Sequence, residues 1–329
     1  MVFKKVSRCQ RNKLKSAFIT GITGQDGRYL SNSLLSDGYK VVGLSRDPNA
    51  IVPGATMVAG DVSDPELIDD IIKNVRPQEV YNLAGIHHSH HRESESKSSH
   101  FAAAIKTNTT GPLNILKSIS HSSPDSRFFQ AGSSEVFDKS FAVQTITTPM
   151  KSHTAYGCSK IMAKNIVDYY RECEGIFATN GFLFNHESPY RSQKFVTTKI
   201  VRTAVRIYLG IDKTLRIGSL ESQRDWGHAK DYVNAMRLAI QYKEPKDWII
   251  ASGCTKTIEQ LCNHVFLSLG MNYDEYVIED PTFKKDIFPG AAGDISITKK
   301  DLGWEPSYTF EQMLDEMIKY WIEMEKKNG

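Results

Sequence analysis

Three features of this 329-residue chain predict an α/β fold, a doubly wound parallel sheet with a smaller C-terminal α/β lobe. Short β-branched and aromatic runs alternate with helical periodicities through the first half, the pattern of a parallel sheet covered by helices on both faces. A glycine-rich turn, "GITGQDG" at residues 21–27, joins the first such run to the first helical stretch. Beyond residue 184 the alternation breaks into shorter mixed segments, which read as a second lobe threaded back and forth with the sheet.

The first strand is expected over residues 17–20. Glycine lets the following backbone turn sharply while its amides, and the positive end of the next helix, approach a pyrophosphate. Gly21, Gly24 and Gly27 stand three residues apart, a variant of G-x-G-x-x-G in a strand–turn–helix context, so the sheet is predicted to be of the Rossmann type. A helical run follows at 29–36 and a second strand at 40–44. Dinucleotide sites for NAD usually place an acidic residue at the end of that strand; here Leu44 and Ser45 occupy it and Arg46 follows, which suits a 2′-phosphate and makes NADP the expected cofactor, with Asp47 one place late.

A third strand is read at 56–59. The segment "SDPELIDDIIKNV" is then expected to be helical, with Ser63 as cap, Pro65 in the first turn, Glu66 completing a capping box, and Leu67, Ile68, Ile71, Ile72 and Val75 as the buried stripe. The fourth strand, 79–84, leads into "HHSHH" (His87, His88, His90, His91). That spacing is too tight for a tetrahedral metal site from one segment, so no metal is expected and contact with cofactor or substrate is. A strand at 127–131 delivers Ser133, Ser134 and Glu135 to the carboxyl end of the sheet, where ligands gather in such folds. Tyr156 and Lys160, at i and i+4, share one face of a helix running to about residue 170. Strands at 177–184 and, late, at 248–251 complete the sheet, and a helix at 310–325 closes the chain. The division expected is a basic tail at 1–15, a dinucleotide-binding domain at 16–184 joined by 248–251, and a substrate lobe from 185–247 and 252–329.

Net charge is +3, from 41 basic and 38 acidic residues, which implies no broad nucleic-acid or membrane-binding surface. Residues 1–15 carry Lys4, Lys5, Arg8, Arg11, Lys13 and Lys15 without an acidic residue, and read as a disordered tail. No apolar stretch is long enough for a signal-peptide core or a membrane span. The five cysteines are odd in number and lack C-x-x-C spacing, which fits reduced thiols and a cytoplasmic setting; Cys158 reads as packing.

A phenol titrates near ~10, so Tyr156 is a poor base unless its anion is stabilised, and a lysine one helical turn away, with the positive nicotinamide nearby, would do this. Such a phenolate can take the proton of a sugar hydroxyl while Ser133 donates to the oxygen as it becomes a carbonyl. Oxidation at one carbon acidifies the hydrogen on its neighbour, and Glu135 is placed to remove that proton and pass one to a departing hydroxyl. The plainer roles open to Glu135 are a helix cap or a pair with a surface lysine.

The segments "GITGQDGRYL", "SSEVF", "AYGCSK", "NHESPYR", "KFVTTKI", "RDWGHAKDYV" and "LGW" together resemble the GDP-mannose 4,6-dehydratases of the extended short-chain dehydrogenase/reductase group, from about Ser16 to Trp304. The resemblance implies an NADP-dependent lyase that turns a GDP-hexose into its 4-keto-6-deoxy form, with Ser133, Glu135, Tyr156 and Lys160 catalytic. The cofactor would lie against Gly21, Gly24, Gln25, Asp26, Gly27, Arg46, Asp61, Val62, Leu83, Ala84, Tyr156, Lys160, Asn185 and His186. The nucleotide sugar would meet His88, Ser134, Asn185, Lys199, Arg224 and Lys284, in a homo-oligomer that is a dimer or a tetramer. For Arg224 an ion pair with Asp225 or Asp231, and for Asn185 a turn cap, are the structural alternatives. The family typically reads Ala-Gln-Ser-His where this chain has Gly85, Ile86, His87 and His88; Lys284 and Lys285 stand where an arginine and a proline are usual, the segment after Arg46 is short, and Phe137 replaces a tyrosine. Rival readings are a dehydratase of another nucleotide sugar such as a GDP-heptose, an epimerase or reductase of the same fold with Glu135 idle, and a non-catalytic NADP-binding protein.

Overall fold

The computed structural model describes residues 15–87, 96–283 and 290–328. Its strands are β1 (Ser16–Thr20), β2 (Lys40–Ser45), β3 (Thr56–Ala59), β4 (Glu79–Asn82), β5 (Arg127–Ala131), β6 (Val143–Gln144), β7 (Ala178–Leu183), β8 (Asn185–Glu187), β9 (Leu215–Ile217), β10 (Gln223–His228), β11 (Asp247–Ile250), β12 (Thr255–Thr257), β13 (Val277–Glu279) and β14 (Ala292–Gly293). The helices are α1 (Gln25–Ser36), α2 (Pro65–Val75), α3 (Lys97–Ile105), α4 (Gly111–Ser122), α5 (Ala155–Glu172), α6 (Val196–Tyr208), α7 (Ala229–Gln241), α8 (Ile258–Ser268), α9 (Ser296–Leu302) and α10 (Phe310–Asn328), with a π-helical turn at Lys106–Thr110 between α3 and α4.

Seven strands form one sheet in the order β11-β7-β5-β4-β1-β2-β3, every pair parallel. Side chains of a strand alternate between faces, and the alternation in β1 sorts the two covering layers. Ala17 and Ile19 pack with Leu30 and Leu34 of α1 and Met236 and Ile240 of α7. Phe18 faces the other way, with Ile68 and Ile72 of α2, Ile115 and Leu116 of α4 and Val167 of α5. A separate core joins α6, α8 and α10 through Val201, Val205, Leu261, Phe266, Met313, Met317 and Trp321, with Trp226 of β10. The three-stranded sheet β12-β10-β8 runs beside it and carries Asn185 and Arg224. Because β1 pairs with β2 on one side and β4 on the other, strand order reverses there and opens a crevice at the strands' carboxyl ends.

Several local expectations shift. The cap of α2 is Asp64, whose carboxylate accepts from the amides of Glu66 and Leu67, both at 3.1 Å. Ser63 is unavailable because its hydroxyl donates to Asp61 at 2.7 Å. Strand β4 stops at Asn82, since the Ala84 amide turns to the Thr20 hydroxyl (3.1 Å) and leaves the ladder. The late strand runs parallel to β7, with Trp248 opposite Gly181, as its position required. The terminal helix continues to Asn328. Among the described residues no helix is long and apolar enough to cross a membrane. The tail at 1–14 lies outside the described residues.

Candidate active site

The glycine turn fits its proposed ligand because side chains are excluded from it by contact with backbone. Gly21 has φ +68°, and a Cβ there would lie 2.8 Å from the Ala84 amide nitrogen. A Cβ on Gly27 would lie 2.5 Å from the Gly21 carbonyl oxygen and from Ile22 Cα, so this residue sets how closely α1 packs on the turn. Gly24 precedes α1 and offers no side-chain cap, which leaves the first-turn amides facing the crevice, as anion binding at a helix N-terminus needs. A cavity lined by Gly21, Gly24, Ser45, Arg46, Asp47, Asp61, Val62, Leu83 and Ala84 opens beside it. A second, continuous through Gly21, Gly24 and Leu83, holds Gln25, Asp26, Gly27, Ser133, Ser134, Glu135, Tyr156, Lys160, Asn185 and His186. An elongated dinucleotide, with its adenosine end near Arg46 and its reactive end near Tyr156, matches these two spaces.

In the second cavity β5 and α5 meet. Thr154 caps α5 by accepting from Gly157 (3.0 Å), and a Cβ on Gly157 would come within 2.7 Å of the Glu135 carbonyl oxygen. That glycine lets the Tyr156 helix close against the turn bearing Glu135. Ser133 Oγ accepts from the Glu135 amide (3.2 Å) and exerts a hydrogen-bonding pull on Tyr156. Lys160 is 4% exposed and its Nζ donates to the Ala131 carbonyl at 2.7 Å, 5.7 Å from the Tyr156 ring centroid.

Burial pushes Tyr156 up to about 12, only partly countered by Ser133, while burial brings Lys160 down to about 8. The protein's own groups thus disfavour the phenolate, and the charge of a bound nicotinamide is needed beside the lysine.

Glu135 also differs from the simplest picture. Its Oε2 pairs with Lys139 Nζ at 3.2 Å, the surface-lysine contact named above as an alternative. The same side chain nonetheless lines the Tyr156 cavity and a third cavity shared with Ser134, Lys139, Gln144, Asn185, Gln223 and Arg224. Asn185 sits on β8 rather than at a turn. Arg224 donates to the neighbouring Gln223 carbonyl (2.5 Å). Its alternative partners are engaged elsewhere: Asp225 accepts from the amides of Ser252, Gly253 and Gly293, and Asp231 from Ser307. Lys199 is not brought to these cavities; its Nζ reaches the Arg216 carbonyl at 2.6 Å. His88 and Lys284 lie outside the described residues. Among the described residues no group of His, Cys, Asp and Glu is arranged to hold a metal ion.

Two residues of the site, Asn108 and Arg191, were not singled out from sequence, whereas His87 and His186 were expected to meet cofactor or substrate. Asn108, buried in the π-helical turn, accepts from the Ile86 amide (2.8 Å) and donates to the Ile86 carbonyl and Ser159 Oγ (both 2.9 Å), tying the exit of β4 to the Tyr156 helix. His87 stands edge-on to Tyr156, ring centroids 4.5 Å apart, and 5.2 Å from Phe195. Arg191 stacks its guanidinium 3.5 Å from the Phe195 centroid, with Nε 3.1 Å from the buried Glu187. The i,i+4 spacing of Glu187 and Arg191 in "NHESPYR" was the available signal. The π-turn of Asn108 has no sequence signature. His186 joins the crevice to α1: Nε2 lies 3.0 Å from Asp26 and Nδ1 donates to the Phe184 carbonyl (2.7 Å). Phe137 is fully buried against Phe182, a place that suits a ring without a hydroxyl.

The sheet order, the glycine turn and the gathering of Ser133, Tyr156 and Lys160 define a protein of the extended short-chain dehydrogenase/reductase class. Solved structures share this fold: a UDP-glucose 4-epimerase from Thermotoga maritima (TM-score 0.80, 21% identity, covering 95% of this chain and 100% of that one) and a dTDP-glucose 4,6-dehydratase from Bacillus anthracis (0.79, 21%, 95% and 98%). The family model for GDP-mannose 4,6 dehydratase matches residues 18–317. GDP-mannose 4,6 dehydratase 2 of Arabidopsis thaliana is 37% identical over 334 residues, 95% of this chain and 88% of that protein, and the Homo sapiens GDP-mannose 4,6 dehydratase 34% identical over 347 residues, 95% and 92%. The chain belongs to the GDP-mannose 4,6-dehydratase family.

Proposed function

We propose that the protein is a GDP-mannose 4,6-dehydratase that uses NADP. The observation that carries this reading is the Glu135 carboxylate in the same cavity as Tyr156 and Lys160, a third group that simple oxidation or epimerisation does not need. Gly21, Gly24, Gln25, Asp26 and Gly27 would hold the pyrophosphate, and Arg46, on a strand end without an acidic residue before it, would favour a 2′-phosphate. When bound, the nicotinamide supplies hydride uptake and return within one catalytic cycle, and its positive charge adds the stabilisation that Tyr156 lacks from the protein alone.

Ionised to the phenolate beside Lys160 and the bound nicotinamide, Tyr156 accepts the proton of the C4 hydroxyl while Ser133 steadies that oxygen. With a carbonyl at C4, Glu135 removes the proton at C5 and transfers it to the C6 hydroxyl, which leaves as water. The proton held by Tyr156 is available to return to C5. The sugar thereby loses one water, with no net oxidation. Asn185 and Arg224, on adjacent strands bordering the third cavity, would receive the nucleotide diphosphate. Lys199, exposed on α6, would join them only by leaving the Arg216 carbonyl. The sheet domain would serve the cofactor and the lobe of β8, β10 and α6 the nucleotide sugar. A homo-oligomer would use the α4–α5 face, where Leu113, Met162 and Tyr169 are exposed.

Incubation with GDP-mannose and no added reductant, followed by mass, tests this. A dehydratase removes one water; an epimerase leaves the mass unchanged. Glu135→Gln should bind nucleotide sugar and stall before water loss. Full dehydration by that variant would remove Glu135 from the mechanism.

A further inference from the structure

We propose that Lys139 is a positioning residue for Glu135, holding the carboxylate at the junction of the two cavities with one oxygen turned to the sugar. The inference rests on the base assignment made above and concerns what places that base.

The contact uses Glu135 Oε2, 3.2 Å from Lys139 Nζ, so Oε1 remains for the C5 proton. Lys139 lines the cavity that contains Gln223 and Arg224, while Glu135 lines both this cavity and that of Tyr156. The backbone between the two residues is fixed rather than pliable. Ser133 Oγ accepts from the Glu135 amide, Phe137 is sealed in the core on Phe182, the Lys151 amide donates to the Val136 carbonyl (2.9 Å) and the Asp138 amide to the Pro149 carbonyl (2.8 Å). Two long side chains four residues apart on a braced turn meet at low conformational cost.

The side chains are 41% and 28% exposed, so the pair contributes little to stability. Its effect falls on the carboxylate's orientation, and grows when a sugar displaces water from the cavity. Tyr156, Lys160, His87, His186, Arg191 and Asp26 line the Tyr156 cavity with Glu135, and Arg224 and Asp225 line the neighbouring one. Lys139 is the cation seen paired with Glu135, at 3.2 Å.

The test compares Lys139→Met and Lys139→Gln, which lose the charge, with Lys139→Arg, which keeps it, all as holoenzyme. Dehydration of GDP-mannose is followed as kcat and KM, and the GDP sugar lacking the C6 hydroxyl is used to isolate oxidation at C4, read as the absorbance of reduced nicotinamide. The neutral variants should lower kcat for dehydration about threefold with KM held within about twofold. Lys139→Arg should restore kcat, and the oxidation amplitude with the 6-deoxy analogue should match the parent in all three. A kcat that does not fall in either folded neutral variant overturns the proposal, as does a loss of the analogue's oxidation equal to the loss of dehydration. An active Glu135→Gln would instead overturn the base assignment itself, whereas an inactive Glu135→Gln beside an unchanged kcat in the Lys139 variants sinks only the role of Lys139.

Discussion

Gly27→Ala is the perturbation whose magnitude the structure fixes best. The added Cβ would meet three backbone atoms, Gly21 O, Ile22 Cα and Ile22 O, each at 2.5 Å. Ordinary contact begins at 3.4 Å, so α1 must retreat from the β1 turn by about 0.9 Å (3.4 − 2.5), and no flexible side chain is present to give way. Overpacking of a rigid interior costs about 1–3 kcal/mol, and backbone contacts on three sides place this case at the upper end. The retreat also carries the first-turn amides away from the crevice, so cofactor affinity should fall together with stability. Gly24→Ala is the internal control. Its Cβ would meet one atom, Gly21 O, at 3.2 Å, a deficit of about 0.2 Å (3.4 − 3.2). Denaturant unfolding with and without NADP, and titration of the cofactor by protein fluorescence, would give a destabilisation of about 2–3 kcal/mol and at least tenfold weaker binding for Gly27→Ala. Gly24→Ala should lose less than about 1 kcal/mol. Equal behaviour of the two variants would show that the turn does not confine α1 as argued.

Other perturbations follow from the same contacts. Tyr156→Phe should abolish oxidation at C4 while leaving nucleotide-sugar binding within severalfold, read by isothermal titration and by the absence of reduced nicotinamide with the 6-deoxy analogue. Asp225→Ala leaves the amides of Ser252, Gly253 and Gly293 without their buried acceptor, which should cost on the order of 3–5 kcal/mol in denaturant unfolding and raise KM through the adjacent Arg224. For His186, burial opposes the cation but Asp26 overrides it and raises the pKa, while the imidazole and Arg191 hold Asp26 below its usual value against the opposing effect of burial. The stability from His186 is complete below its ordinary 6.5 and lost as pH rises through its folded value; that from Asp26 is complete above its ordinary 3.8 and lost as pH falls through its lowered value. The pair should thus stabilise most between about 4 and 6.5, and in Asp26→Asn the His186 ring should titrate below 6.5 by NMR; an unchanged His186 titration would contradict the pairing.

Much of the architecture was legible because its causes are local. The period-two runs of β1 and β5, the apolar stripe of α2 and the steric permissiveness of Gly21 and Gly27 each depend on neighbours in the chain. The chain also encoded the i,i+4 placement of Tyr156 and Lys160, and segments such as "RDWGHAKDYV" carried the family. The errors arose where one side chain had a choice of partners. Ser63 and Asp64 were both competent caps, and the Ser63 hydroxyl went to Asp61.

By itself, then, the sequence determined the sheet, the glycine turn and the side chains proposed to react, since hydrophobic period, backbone freedom and functional-group chemistry are properties of short segments. Tertiary structure alone decided the protonation and reach of those groups. Burial in the assembled cleft raises the pKa of Tyr156 and lowers that of Lys160, the bracing of the turn after β5 places Lys139 on Glu135, and Asn108, His87 and Arg191 enter the site from segments distant in the chain. Desolvation and long-range contact depend on what the whole fold brings together, and no window of residues contains that information.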